Sequence, residues 1–205
     1  MGSLYAFLEE NGVLDDTIII ILSDNGYAKA TLYEWGVRTL MHVRYPNGGI
    51  SAGSVVSEPV SNVDLVPSIF ALIGASGSYD TNGMSWKDVA TGEASKLERD
   101  TLFFEIAYDV SILNTSTNRK LIWQNNIASK TNELAQTSVT NAYDWWGISE
   151  YQLYNLTTDE NEQNDVYESA TDAETLLNAL NDHIATWGSG TTCCSPDEMD
   201  LAFDA

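Results

Sequence analysis

The sequence contains a run of apolar, mostly β-branched residues, Thr17–Leu22, that ends at Ser23-Asp24-Asn25-Gly26. Its four consecutive isoleucines are too few to span a membrane and too stiff at χ1 to favour a helix, so the run predicts a strand buried on both faces. Strands of this kind are typical of α/β sheets, where ligand sites lie just outside the carboxyl ends of the strands. Asp24 and Asn25 occupy that position and are therefore candidate binding residues.

The Asp-Asn-Gly tripeptide at 24–26 has two interpretations. A carboxylate beside an amide carbonyl offers the oxygen ligands that Ca²⁺ or Mg²⁺ prefers. The same residue types also form tight turns that bind nothing, because asparagine and glycine accept the backbone conformations that turns require. These three residues alone leave both interpretations open.

Three segments follow one another along the chain in a fixed order. The first runs from Ser-Asp-Asn-Gly through Lys29 and Thr-Leu-Tyr-Glu-Trp-Gly-Val-Arg at 31–38 to Arg-Tyr-Pro at 44–46. The second is Pro-Val-Ser-Asn-Val-Asp-Leu-Val-Pro-Ser at 59–68, and the third is Tyr-Gln-Leu-Tyr-Asn-Leu-Thr-Thr-Asp-Glu-Asn-Glu at 151–162. In this order they resemble the later part of the formylglycine-dependent sulfatases, within the alkaline phosphatase-like superfamily.

The resemblance implies roles for five residues of the first segment. Asp24 and Asn25 match the metal-binding pair of the family and imply a bound Ca²⁺, with Mg²⁺ as the alternative ion. Lys29 corresponds to a lysine that contacts a sulfate oxygen, although many members have a longer loop before it. Glu34 and Arg38 match scaffold positions, where an ion pair or hydrogen bonds brace the loop.

The resemblance also implies the fold class. We expect an α/β protein that comprises the C-terminal part of a sulfatase-like mixed sheet with helices, at 1–98, and a small α+β subdomain with an antiparallel sheet and a closing helix, at 99–188. An acidic tail follows at 189–205. Residue periodicity predicts helices at 3–10, 63–72 and 173–187, and strands at 17–22, 39–45, 101–107, 120–124 and 151–155.

The family's nucleophile has no counterpart in this sequence. Formylglycine forms from the first residue of a Cys/Ser-x-Pro-x-Arg motif, and Cys194-Ser195-Pro196 is followed by acidic residues instead. The remaining metal-binding aspartates and the assisting histidines of the family would lie upstream of Met1. We therefore expect an upstream sulfatase half, in the same precursor or as a separate chain, and expect this chain alone not to hydrolyse a sulfate ester.

Two other functions stay open at the level of sequence. One is a non-catalytic structural or binding subunit, suggested by the missing nucleophile, the short loop before Lys29, and Trp35 at a position where the family usually has glycine. The other is part of a phosphodiesterase or phosphonate hydrolase, because the superfamily uses one scaffold for several reactions.

Charge and short motifs restrict the partners. Nine basic and 30 acidic residues give a net charge of −21, which repels nucleic acid, anionic membranes and sulfated polyanions. No apolar stretch has the length of a membrane span. Asn114-Thr115-Ser116 and Asn155-Leu156-Thr157 are N-glycosylation sequons that matter only in a secretory pathway. The resemblance implies a secreted, lysosomal or other secretory-pathway location, although the chain shows no signal.

Several conspicuous residues have ordinary structural interpretations. His42 is predicted to be a core or edge histidine, and His183 to be exposed on its helix. The pair Trp145-Trp146 is more typical of a core or an interface than of a sugar-stacking site. Cys193 and Cys194 are expected to be inert thiols of the tail, with a vicinal disulfide or pairing with another chain as the alternatives.

Overall fold

The structure, a computed structural model, describes residues 2–29, 31–75, 81–106, 109–124 and 150–187. Its backbone separates into two compact units, Met1–Lys29 with Arg38–Asp100 and Ala30–Val37 with Thr101–Ala205. No helix within the described ranges is long and apolar enough to cross a membrane. The domain limits at 98 and 188 remain sequence-based predictions.

The first unit contains both helices and strands, whereas the second unit consists mainly of strands. In chain order they are α1 (Gly2–Glu10), β1 (Ile19–Leu22), α2 (Glu34–Val37), β2 (Met41–Arg44), α3 (Leu65–Leu72), α4 (Lys87–Thr91), β3 (Thr101–Ile106), β4 (Asp109–Asn114), β5 (Arg119–Trp123), β6 (Tyr151–Asn155) and α5 (Ala173–Trp187).

Strands β1 and β2 of the first unit form an antiparallel ladder, in which Ile19 pairs with Arg44 and Ile21 with His42. Both predicted strands are present, but the prediction that β1 is buried on both faces was wrong. Ile19 is 8% exposed, whereas Ile21 and Leu22 are 38% and 37% exposed. Ile21 lies on the same face as the buried Ile19 and pairs with the exposed His42, whereas Leu22 pairs with Met41 on the other face. The end of β1 is therefore exposed on both faces.

The predicted helix at 63–72 is present, but its first turn is a 3₁₀ turn at Asn62–Asp64 that leads into α3. The backbone N–H of Ser61 donates to the carboxylate of Asp64 at 2.7 Å, which satisfies one group at the start of the helix. Pro67 lies in the first turn of α3, where its missing N–H costs nothing. Gly74 ends the helix with φ +65°, a conformation that favours glycine.

A buried ion pair fixes the start of α3 within the first unit. The Asp64 side chain is 0% exposed, and both of its oxygens accept hydrogen bonds from the Arg99 guanidinium at 2.8 Å. The Met84 N–H donates to the same carboxylate at 2.8 Å. The desolvated negative charge of Asp64 is thus compensated by a bidentate cation and two backbone donors.

The stretch at 75–99, for which the sequence predicts no helix or strand, contains α4. Trp86 precedes this helix, and its backbone N–H donates to the Ser68 hydroxyl at 2.9 Å. Gly83 lies so close to α3 that a Cβ atom there would stand 2.0 Å from the carbonyl oxygen of Val63. Gly92, with φ +81°, ends α4.

The second unit is a four-stranded antiparallel sheet with strand order β3-β4-β5-β6. Helix α5 matches the predicted closing helix and packs its apolar side on one face of the sheet. The sequence analysis predicts no strand between β3 and β5, so it missed β4. The core between sheet and helix is formed by Val110, Ile112, Leu121, Leu153, Ala173, Leu176 and Leu180.

Other sequence-based expectations have different outcomes. The sequence predicts no helix at 29–36, yet α2 begins at Glu34. His183 is not simply exposed, since its ring stacks on Phe103 with centroids 3.7 Å apart and its Nε2 lies 3.1 Å from Glu105. His42 is exposed on β2 of the two-stranded ladder, which agrees with an edge histidine and not with a core one. Trp145-Trp146 and Cys193-Cys194 lie outside the described residues.

Removing the cation of the buried pair tests its importance for the first unit. We expect Arg99→Ala to lower the free energy of unfolding by about 3–5 kcal/mol, because it leaves the Asp64 carboxylate buried without its countercharge. The matched control is Arg44→Ala, whose partner Asp15 is 61% exposed, and which should cost no more than about 1 kcal/mol. Urea unfolding at pH 7 measures both, and equal losses would contradict the assignment.

Candidate functional site

The predicted metal-binding pair lies directly beyond β1, at the position expected from the sequence. The backbone N–H of Ser23 donates to the Leu40 carbonyl at 3.0 Å, and the Leu40 N–H donates to the Ser23 hydroxyl at 2.8 Å. These bonds hold the chain at the point where β1 ends. Asp24 is exposed, and its Oδ1 accepts the Asn25 N–H at 3.0 Å.

The chemistry of this donor pair fits a hard cation in part. The Asp24 carboxylate and the Asn25 side-chain carbonyl are oxygen ligands of the type that Ca²⁺ and Mg²⁺ bind. Ca²⁺ takes six to eight oxygens, and within the described ranges no three acidic, histidine or cysteine side chains are grouped to hold a metal. Asp24 and Asn25 could therefore supply only part of a complete coordination shell.

The two predicted cations of the first segment are both exposed. Lys29 follows Asn25 by four residues on the same exposed stretch of the first unit, and Arg38 begins the next stretch of that unit. Neither forms an ion pair with another residue in the part of the chain that the structure describes. Asp24 and Lys29 are thus exposed to solvent within one short segment, and Asn25 between them is half-buried.

Glu34 has a different environment, because it contacts a buried lysine of the second unit. The Nζ of Lys120 lies 3.0 Å from Oε1 of Glu34 and 3.0 Å from Oε1 of Glu162. The Lys120 side chain is 0% exposed and that of Glu162 is 1% exposed. The backbone N–H of Glu34 also donates to Oε2 of Glu162 at 2.5 Å. Glu34 is thus bound through both its side chain and its backbone.

Strand alternation places Lys120 inside the second unit. Leu121 faces the core under α5, whereas Lys120 and Ile122 face the opposite side of the sheet. On that side Ile122 packs with Leu32 and Tyr154 in a second apolar cluster. The segment at 31–37 therefore covers one face of the sheet, and Glu34 brings a carboxylate to a lysine that has no access to water.

The loop after β6 delivers Glu162 to the same place. The Asp159 carboxylate accepts the N–H groups of Gln163 at 3.0 Å and Asn164 at 2.8 Å, and these hydrogen bonds lower its pKa. Glu162 itself adopts the left-handed conformation, with φ +54°, which is uncommon for a residue with a side chain. The tight loop and the ion pair with Lys120 together hold this conformation.

Burial dominates the electrostatics of this cluster. Desolvation raises the pKa of Glu162, and the nearby Lys120 opposes part of that increase. The neighbouring Tyr33 hydroxyl donates to Oε1 of Gln152 at 2.5 Å, and burial raises the pKa of both Tyr33 and Tyr154. Within the cluster of Glu34, Lys120 and Glu162, the side chains of Lys120 and Glu162 are enclosed and that of Glu34 is 19% exposed.

Sequence reasoning did not identify Lys120 or Glu162 as important residues. One signal was available for Glu162, since it stands at the final glutamate position of the third motif. Lys120 carried a weaker signal, a lone charge beside Leu121 and Ile122 in a predicted strand. A buried lysine and a solvent-facing lysine look alike in a single sequence, because the partner carboxylates are distant along the chain.

Comparison with known proteins identifies the family. The family model described as N-sulphoglucosamine sulphohydrolase, C-terminal, matches residues 24–188 and so begins at Asp24 itself. The chain belongs to this sulfatase family. The family predicted from the three motifs is thereby confirmed, as is the α/β fold class of a C-terminal sulfatase portion.

Individual relatives agree with this assignment. N-acetylglucosamine-6-sulfatase of Bos taurus is 26% identical over 223 residues, which cover 96% of this chain and 39% of that protein. N-acetylglucosamine-6-O-sulfatase of Bacteroides thetaiotaomicron is 36% identical over 101 residues, covering 45% of this chain and 18% of the relative. The chain therefore spans well under half of either relative.

A solved structure has the same fold over most of the chain. It shows an enzyme in complex with its substrate D-glucosamine-2-N,6-O-disulfate, and it superimposes with a TM-score of 0.69 at 26% identity. The match covers 92% of this chain and 38% of that one. Both units of the present chain are therefore within the portion that resembles a sulfatase.

The raised pKa of Glu162 predicts a pH-dependent effect on stability. Because the folded protein holds this proton more tightly than the unfolded chain, the stabilisation is complete below the ordinary glutamate pKa and is lost as pH rises through the higher folded value. We expect the stability of Glu162→Gln, whose amide does not titrate, to increase relative to that of the parent as pH rises above the ordinary glutamate pKa of about 4. Unfolding in urea at several pH values measures this difference.

The control for that experiment is Glu160→Gln, an exposed glutamate on the same loop. Its stability relative to the parent should change little across the same pH range. If Glu162→Gln instead lost stability relative to the parent as pH increased, the attraction to Lys120 would outweigh the burial of the carboxylate, and the assigned direction would be wrong.

Proposed function

We propose that this chain supplies metal-binding and sulfate-contacting residues for the hydrolysis of a sulfate monoester, as the C-terminal portion of a sulfatase-like hydrolase. The observation that carries the proposal is the position of Asp24, which is exposed, and Asn25, which is half-buried, just beyond β1, where the family match begins. Ligand sites in α/β sheets occur at this kind of position.

Each proposed residue has a distinct task. The Asp24 carboxylate and the Asn25 carbonyl are oriented as part of a Ca²⁺ site, with Mg²⁺ as the alternative. When bound, the ion neutralises negative charge on the sulfate oxygens. The Lys29 ammonium donates a hydrogen bond to a sulfate oxygen, where it stabilises the negative charge that develops as the ester bond breaks. The exposure of Asp24 and Lys29 is consistent with these tasks.

The remaining catalytic groups belong to the proposed upstream half. That half supplies the formylglycine nucleophile and the other metal ligands, so this chain alone is inactive. A secretory-pathway location is part of the proposal, and two sequon asparagines support it. Asn114 and Asn155 both lie at strand ends, where Oδ1 of each accepts a backbone N–H from its own sequon. Glycosylation of either asparagine remains a prediction.

The names of the relatives support a proposal for the substrate class. Two of them are named for sulfated N-acetylglucosamine, and the solved structure holds a sulfated glucosamine. We propose a sulfated glucosamine unit as the first substrate to assay. The net charge of −21 opposes the approach of a long sulfated polymer, so mono- and oligosaccharides are preferred.

A non-catalytic binding subunit is the second candidate. The observation in its favour is Trp35, which is 53% exposed at a position where the family usually has glycine. A large aromatic side chain on the surface is typical of binding sites for other molecules. The two candidates differ in whether an upstream half accompanies the chain in its native source.

The decisive measurement is the denatured mass of the protein in its native source, with peptide mapping for a formylglycine-bearing segment. We expect a mass well above 22.5 kDa, or a tightly bound partner that carries this segment. A native species of 22.5 kDa without such a partner would reject the catalytic proposal in favour of a binding subunit.

Substitution of the proposed metal ligand tests its task in the complete native assembly. We expect Asp24→Ala to lower Ca²⁺ affinity about 10-fold or more and kcat/KM for 4-nitrophenyl sulfate by about 100-fold or more, because one charged ligand is lost. Titration calorimetry and initial rates measure the two effects. Asp88→Ala, in the first turn of α4, is the control and should change neither, whereas unchanged Ca²⁺ affinity in Asp24→Ala would remove Asp24 from the site.

A further inference from the structure

Helix α3 is apolar on all sides but is covered on one side only. Its sequence, Leu-Val-Pro-Ser-Ile-Phe-Ala-Leu, contains no charged residue. Pro67, Ser68 and Leu72 are buried, and Leu72 belongs to the core cluster of the first unit. A helix that is apolar all round is typical of a protein interior, because its outer side gains nothing from contact with water.

The uncovered side of α3 and its two ends carry three large aliphatic side chains. Val66 lies in the helix, Val63 in the 3₁₀ turn before it and Ile73 directly after its last residue, and they are 52%, 53% and 57% exposed. At 100° per residue, positions 66 and 73 differ by only about 20° around the helix axis. We call this row, Val63, Val66 and Ile73, the α3 stripe.

Helix α5 provides an internal comparison. It buries Leu176 and Leu180 on one side, and it presents polar residues such as Glu174, Thr175 and Asn178 to water. This is the ordinary pattern of a helix at the surface of a protein. The α3 stripe departs from that pattern, so its sequence is suited to contact with another apolar surface.

The same asymmetry extends over the whole first unit. Among the described residues, every large apolar side chain that is exposed belongs to the first unit, with the exception of Trp35. Ile21 and Leu22 at the end of β1 are examples on a different element. Exposed apolar residues concentrated in this way mark an interaction surface.

We infer that the α3 stripe is a docking surface for the remainder of the sulfatase α/β domain, the upstream half. This inference rests on the proposed function and adds to it the place of contact. A partner of the required size is indicated by the solved sulfatase structure, of which this chain covers 38%, and by the bovine relative, of which it covers 39%. The partner's contacting surface is apolar, since the stripe offers no charge.

Charge argues against a second copy of this chain as the occupant. Each copy carries a net charge of −21, and two copies brought together on α3 would repel each other at low salt. The stripe therefore fits a heterologous apolar partner better than a symmetric dimer.

Photo-crosslinking in cells of the native source tests the contact. The full chain is produced with p-benzoylphenylalanine in place of Val66, and in a second variant in place of Ile73, which keeps the test valid if the first variant does not fold. The control places the same residue at Thr175, on the polar side of α5. After irradiation, the peptides joined to each position are identified by mass spectrometry.

We expect either stripe position to crosslink to peptides of a sulfatase α/β segment that lies outside these 205 residues, at a yield at least 10-fold above that of the control. Crosslinks to a second copy only, to lipid only, or to nothing would each overturn the inference. If the upstream half co-purifies with the chain but does not crosslink to the stripe, the docking surface is wrong and the proposed function stands. If no upstream half is present, the proposed function fails as well.

A substitution gives an independent measure of the same contact. We expect Val66→Lys to reduce the amount of upstream half that co-purifies with the tagged chain at least 10-fold, because it places a charge in the apolar interface. Thr175→Lys is the matched control and should leave co-purification unchanged. Circular dichroism of both isolated chains verifies that the helices are retained. Equal co-purification with Val66→Lys and Thr175→Lys would overturn the inference.

Discussion

A lysine without access to water organises the second unit. The charge of Lys120 is tolerable in the interior only because two carboxylates lie 3.0 Å from its nitrogen. Glu34 comes from the segment before β2, and Glu162 comes from the tight loop after β6. The need to compensate one buried charge therefore holds three distant parts of the chain together. It also explains why residues 30–37 belong to the second unit although their neighbours on both sides belong to the first.

The first unit uses the opposite arrangement, a buried carboxylate held by a cation. Asp64 accepts two hydrogen bonds from Arg99 and two from backbone N–H groups, and it thereby joins the start of α3 to the end of the unit. Asp64 and Glu162 are both members of the motifs that carry the family resemblance. Their environments assign them to the maintenance of the fold, which leaves Asp24, Asn25 and Lys29 as the residues of those motifs with proposed chemical tasks.

Much of the fold could be predicted from local patterns. The isoleucine run, the apolar spacing at 63–72 and the long amphipathic pattern at 173–187 each correspond to an observed element. Strand β4 was not predicted, because residues 107 and 108 between it and β3 are alanine and tyrosine. Neither is the glycine, asparagine or proline that usually marks a turn. Helix α4 escaped because it is a single short turn within a polar stretch, where periodicity has too few residues to be visible.

The sequence by itself determined the family, the class of fold and the residues with candidate chemistry. Motif order and residue type can be recognised without a three-dimensional structure. Only the tertiary structure decided which charged residues are buried. Lys120 and Lys29 are the same residue type in one sequence, yet the first is enclosed by two carboxylates and the second is exposed. The physical reason is that the cost of burying a charge depends on partners brought together from distant positions, and no local pattern records those partners.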